Sequence, residues 1–283
     1  MKNLVKAGLL ALLTLFVSCS DDDSYEYRYY FSYGNIVAID GNINNGYNIV
    51  RDDGTILQIY RNFVLDEEIE NGDRVYAQYS ILGTQTSSDD QRIYTITLYG
   101  LSEILVKDPI PQSEINASPD PEATEESLGD DPIKVTYATV GGKYLTVEFW
   151  IYTKRGSSLQ HLINLVWDNT RVPENPNDKT AYLTLRHNGY DQVPGPGTNM
   201  REYIKTMGSI SFDITSILPA GVTSIPIRLI WTEYGATLGE REQYYKDYTF
   251  SYNPNQQLQT NSIGTSFYEG QASPIYTSPL LIK

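Results

Sequence analysis

Apolar and polar residues alternate with a period of two along most of this chain, and no long stretch carries the 3.6-residue spacing of an amphipathic helix. The pattern predicts an all-β protein. Near the start, Tyr25, Tyr27, Tyr29, Phe31 and Tyr33 line one face of a strand that continues into GNIVAID. YNIVRDDGTILQIYRN follows, and its Asp52-Asp53-Gly54 reads as a hairpin turn, because Asp-Gly adopts positive φ easily. NGDRVYAQYSIL turns at Asn71-Gly72-Asp73 and places Val75, Ala77, Tyr79 and Ile81 on one face. RIYTITLYGLSEIL completes the set. Five strands within residues 29–107 suit a small closed barrel.

The pattern breaks between Asp108 and Pro132, a stretch with five prolines, eight acidic residues and no lysine or arginine. Such a segment buries too little apolar area to offset its conformational entropy and reads as an acidic, proline-rich linker, 108–132. It admits one short helix, around Ala123 to Leu128. Strands then recur at the spacing of an antiparallel β-sandwich over 133–252: IKVTYATV, KYLTVEFWIYT, HLINLVWDN, AYLTLRHN, SISFDITSIL, IPIRLIWTEY and DYTFSYN. Residues 253–283 are rich in Asn, Gln, Ser and Thr and form a tail without an assigned role, able to add at most one edge strand.

The N-terminus changes where this protein is expected to work. Lys2 and Lys6 precede an apolar run of eleven residues, Ala7 to Val17, long enough for a signal-peptide core and too short to span a bilayer. Ser18 and Cys19 follow, then Ser20 and three aspartates. This arrangement resembles a bacterial lipoprotein cleavage site of the Bacteroides type, with Phe16 where leucine is usual. The resemblance implies a signal peptide over 1–18, lipid on Cys19, an acidic tether over 19–28, and anchorage in the outer membrane facing outward. A mature lipoprotein carries several acyl chains, enough for stable anchoring. Cys19 is the chain's only cysteine, so lipidation leaves no thiol for a disulfide or a zinc site. The formal net charge of −14 disfavours nucleic acid as a partner.

The order of features resembles the NigD-like lipoproteins of gut Bacteroides. The segments that carry the likeness are YNIVRDDGTIL, NGDRVYAQYSIL, SLGDDPIKV, SISFDITSIL and SIPIRLIWTEYG, over roughly residues 1–252. It implies an N-terminal OB-like barrel followed by a C-terminal β-sandwich. It implies no catalytic residue, and the tail is longer than the family's usual C-terminus.

Candidate chemistry is sparse. The two histidines, His161 and His187, stand in no metal-binding or nucleophile motif and read as exposed or loop-capping residues. The acids fall mostly in the tether, the linker and turns, and no pair is singled out for glycoside cleavage. Asp168, Asn169, Asn175, Asn177 and Asp178 offer oxygens to calcium on one loop, but their spacing matches no EF-hand and they serve equally as turn formers. The barrel's tyrosine stripe lacks the basic cluster of a single-strand nucleic-acid groove, so it is expected to pack within the barrel or pad the tether. Trp167 and Trp231 share strand faces with aliphatic residues and belong to the core. Trp150 and Tyr152 fall in register with Thr146 and Glu148, opposite Leu145, Val147, Phe149 and Ile151, and should project from the polar face. Such a pair either fills the boundary between the domains or offers sugar rings a platform. The sequence thus describes an anchored, noncatalytic binding or adaptor protein that needs no cofactor or metal. Its partners are the membrane, through the lipid anchor, and a glycan or an envelope protein. An envelope assembly component, or a carbohydrate-active hydrolase with unidentified carboxylates, is the alternative.

Overall fold

The computed structural model describes residues 28–60, 69–88, 90–121 and 123–252. Strands β1 (Tyr30–Ala38), β2 (Tyr47–Arg51), β3 (Ile56–Ile59), β4 (Arg74–Thr86) and β5 (Arg92–Glu103) close into a barrel in the order β1-β2-β3-β5-β4. All neighbours are antiparallel except β3 and β5. The alternation holds: Ile36, Ile49, Leu57, Val75, Ala77, Ile96 and Leu98 fill the interior. Gly34 lets β1 and β2 approach, since a Cβ there would sit 2.6 Å from Ile49 Cγ2. The turn at Asp52-Asp53-Gly54 forms as expected, with Gly54 at φ +78°.

The aromatic stripe does not pack within the barrel, the first of the two places expected for it. Because Gly34, Ile36 and Ala38 point inward, Tyr29, Phe31 and Tyr33 point out of the barrel. Phe31 stacks on Tyr76 at 5.8 Å and Tyr29 meets Tyr99 edge-to-face at 5.1 Å. Tyr25 and Tyr27 lie outside the described residues.

The second layer pair is a β-sandwich. One sheet has the order β14-β13-β11-β10-β7 and the other β6-β12-β9-β8. Their members are β6 (Val106–Lys107), β7 (Ile110–Pro111), β8 (Lys134–Gly141), β9 (Tyr144–Lys154), β10 (Leu162–Trp167), β11 (Ala181–Asn188), β12 (Tyr203–Asp213), β13 (Ser224–Tyr234) and β14 (Arg241–Ser251). Pairing is antiparallel along the long strands apart from β11 with β13; the short β6 and β7 join their sheets in parallel. Val147, Phe149, Leu165, Leu185, Phe212, Leu229 and Phe250 meet in the core, with Trp231 inside it and Trp167 against it.

The segment expected to be a free linker is instead part of this domain. β6 adds to one sheet and β7 to the other, so the chain crosses between them within a few residues. A single helical turn, α1 (Glu125–Leu128), is capped by the Thr124 side chain accepting from Ser127 N, and packs on β10 and β11. The scarcity of apolar residues misled because few anchors suffice: Ala123, Leu128 and Ile133 are all buried. The sheet supplies the polar partners: Arg186 Nε donates to Gly129 O at 2.6 Å, and Asn188 Nδ2 to the carbonyls of Glu126 and Ser127 at 2.8 and 3.0 Å. The five prolines lower the entropy lost when the segment settles. The outer face of β10, carrying Leu162, Asn164 and Val166, is buried as a result.

Candidate functional site

The barrel and the sandwich meet around one guanidinium. Arg74, at the start of β4, points out of the barrel and has a fully buried side chain. It forks onto the Asp52 carboxylate, with Nη2 at 2.7 Å from Oδ2, and donates to Asn35 Oδ1 at 3.3 Å within the barrel. Across the junction it donates to Thr146 Oγ1 at 3.0 Å and Ser211 Oγ at 3.3 Å, and lies 4.2 Å over the Tyr144 ring. Gly141 admits the acidic turn, since a Cβ there would fall 2.7 Å from Asp52 Cβ. Ser211 alternates as an outward residue of β12 yet is fully buried, because the barrel covers it.

One pleat further along β9, Tyr33 donates its hydroxyl to Glu148 Oε1 at 2.8 Å. Burial, then the charge of Glu148, push the Tyr33 hydroxyl well above its usual pKa. Burial also raises Glu148, partly offset by the bond from Tyr33. Beyond this pair along β9 the aromatic row begins. Trp150 and Tyr152 are half-buried on the outer face of β9, where the alternation placed them. Their rings meet edge-to-face at 5.2 Å, and Tyr152 meets Tyr234 of β13 at 5.7 Å. Lys205 Nζ sits 4.2 Å over the Trp150 ring. The row is thus held by its own neighbours.

The histidines are not exposed. His161 and His187 are completely buried and stacked, with Nδ1 of His161 2.9 Å from Nε2 of His187. His187 Nδ1 lies 3.1 Å from the Pro132 carbonyl. A carbonyl only accepts, so His187 Nδ1 carries the hydrogen and His161 Nδ1 donates to His187 Nε2. Burial lowers both, His187 to about 3, with the neighbouring His161 adding to the effect. The oxygen-rich loop behaves as turns: Asp168 accepts from Thr170, Asn175 from Asn177 N and Asp178 from Thr180 N. Among the described residues no three His, Cys, Asp or Glu side chains gather to hold a metal, and no helix is long and apolar enough to cross a membrane. Cys19 lies outside the described residues.

The family described as the NigD-like C-terminal beta sandwich domain matches residues 116–252, beginning inside the segment that clasps the sheet. No curated protein matches. Among solved structures, a Bacteroides vulgatus protein of unknown function aligns at 17% identity and a TM-score of 0.54, covering 82% of this chain and 99% of its own. A NigD-like immunity protein from Bacteroides caccae aligns at 18% and 0.53, covering 79% and 97%. A candidate lipoprotein from Bacteroides fragilis aligns at 14% and 0.51, covering 80% and 99%. At these identities the likeness is one of fold, and its extent takes in barrel and sandwich together. Residues 116–252 are therefore a NigD-like C-terminal β-sandwich domain, in a chain whose barrel and sandwich together share the fold of these Bacteroides proteins.

Proposed function

We propose that this chain is an outer-membrane lipoprotein, held by Cys19 and facing outward, whose two joined domains bind a partner at the envelope without turning it over. The observation that carries the binding role is the junction itself. Its polar side chains, Arg74, Asp52, Tyr33 and Glu148, are engaged with one another, which leaves the Trp150–Tyr152–Tyr234 row as the contact surface. A sugar ring is the favoured ligand, since its C–H faces suit aromatic π-faces and its hydroxyls suit Lys205. Lys205 shields Trp150 until then, and an exposed cation–π contact of about 0.5–1 kcal/mol is readily displaced. That one matched structure is named an immunity protein and another a candidate lipoprotein agrees with an anchored, binding role.

The test is a glycan array and an envelope pull-down with the soluble fragment beginning at Ser24, run beside the double variant Trp150→Ala/Tyr152→Ala. The wild-type fragment should retain a ligand that the variant loses. Equal retention by both, or chemical conversion of the retained ligand, would overturn the proposal.

A further inference from the structure

β11 and β13 run side by side in parallel from Ala181 to Thr184, and then diverge. The chain segment Asp130–Ile133 fills the opening: Asp131 N donates to His187 O and Ile133 N to Thr232 O, both at 2.8 Å. Gly189 N donates to Asp131 Oδ2 at 2.8 Å, and Arg241 of β14 reaches Asp130 O and, at 3.5 Å, Asp131 Oδ1. From below, the stacked imidazoles present one N–H to the Pro132 carbonyl. This wedge ends the clasp that begins at β7 and covers the outer face of β10.

We infer that the His161–His187 pair makes the wedge an acid-sensitive latch, which opens in mildly acidic medium and loosens the clasp from the five-stranded sheet while the barrel stays closed. In the closed state His187 has no place for a second proton, since its Nδ1 hydrogen goes to Pro132 O and its Nε2 accepts from His161. Both rings are buried, and the charged groups that face the pair are Asp131, already committed to Gly189 N and Arg241, and Arg241 itself, which opposes a further positive charge. Tyr234, beside Asp131 and Arg241, is held neutral by burial. Lifting the wedge removes the carbonyl and admits water, so the open state takes up protons at the ordinary histidine value near 6.5. Protons therefore favour the open state as the pH falls below that value. Aspartates and glutamates of ordinary pKa stay ionised at pH 5, so acid acts first where the histidines are. Both histidines of the chain lie in the sandwich and neither in the barrel.

Hydrogen exchange of the mature chain, followed by mass spectrometry and corrected for intrinsic rates, reads the latch directly. With His187 lowered to about 3, the opening equilibrium of peptides from 110–133 should rise roughly 30-fold from pH 7.5 to pH 5. Peptides of β4 and β5 should not change. Unchanged clasp protection, or an equal rise in the barrel, would overturn the inference. His187→Gln keeps an N–H for Pro132 and an acceptor for His161, and should remove most of the acid response; a response of full size in this variant also counts against the latch. Should that variant not fold, the wild-type imidazole Cε1–H resonances decide: folded-state titration of either ring near pH 6.5 contradicts the latch, and none between pH 7.5 and 5 supports it.

Discussion

Replacing Arg74 with alanine should uncouple the barrel from the sandwich. The guanidinium is wholly excluded from solvent and serves Asp52, Asn35, Thr146 and Ser211 at once. Its removal leaves the Asp52 carboxylate, only 17% exposed, and two buried hydroxyls without their shared donor. Breaking one side of a buried ion pair costs about 3–5 kcal/mol, most of it the desolvated charge left behind. Replacing both partners should cost less, so Arg74→Met/Asp52→Asn is expected to recover about 1–3 kcal/mol of that loss, a coupling within the range for contacting residues. Lysine should rescue poorly, because it cannot reproduce the fork that reaches the carboxylate and both hydroxyls. Urea unfolding of the wild type, Arg74→Met, Asp52→Asn and the double variant measures the cycle, and small-angle scattering reports whether the domains separate. An Arg74→Ala loss below about 1 kcal/mol, or losses that simply add, would refute the reasoning.

Other expectations follow from the same geometry. Leu128→Ala should cost about 2–5 kcal/mol and raise protease sensitivity within 110–133 first, since this fully buried side chain anchors the clasp. Gly129→Ala should cost about 2 kcal/mol or more, as Gly129 has φ +59° and an added Cβ would lie 2.8 Å from His187 O; the urea midpoint reads it. Glu148 has its folded pKa raised, so the fold binds its proton more tightly than the unfolded chain does, and its contribution to stability is largest in acid and falls as pH rises from the unfolded value through the folded one. Glu148→Gln, which keeps the acceptor for Tyr33, should therefore be neutral or stabilising at pH 7 within about 1 kcal/mol and should remove that slope. A larger loss at pH 7 would show that the charge itself is favourable.

The strands were legible because β-structure writes its period into short stretches: Val75-Ala77-Tyr79 and Leu145-Val147-Phe149-Ile151 each face one core in the folded chain. The outward register of Trp150 and Tyr152 came from the same alternation. That alternation also held information left unread. His187 shares parity with Leu183 and Leu185, and His161 with Ile163 and Leu165, which marks both as core-facing; Ile36 and Ala38 likewise assign Tyr29, Phe31 and Tyr33 to the outside. The clasp was illegible by composition, because its stability rests on Arg186 and Asn188, side chains that lie far along the chain and satisfy its carbonyls. Arg74 carried no local signal either: its partners Asp52, Thr146 and Ser211 are 22, 72 and 137 positions away. A polar junction of that kind becomes visible only once both domains are folded.

The claim that this is an anchored display protein is tested most directly by the mass of its mature N-terminus, purified from the outer membranes of a producing Bacteroides strain. The account predicts a chain that begins at Cys19 with acyl groups on it and that a Cys19→Ala variant, expressed in parallel, is lost from the membrane fraction. A mature chain with an unmodified Cys19, or membrane retention that survives its replacement, would contradict it.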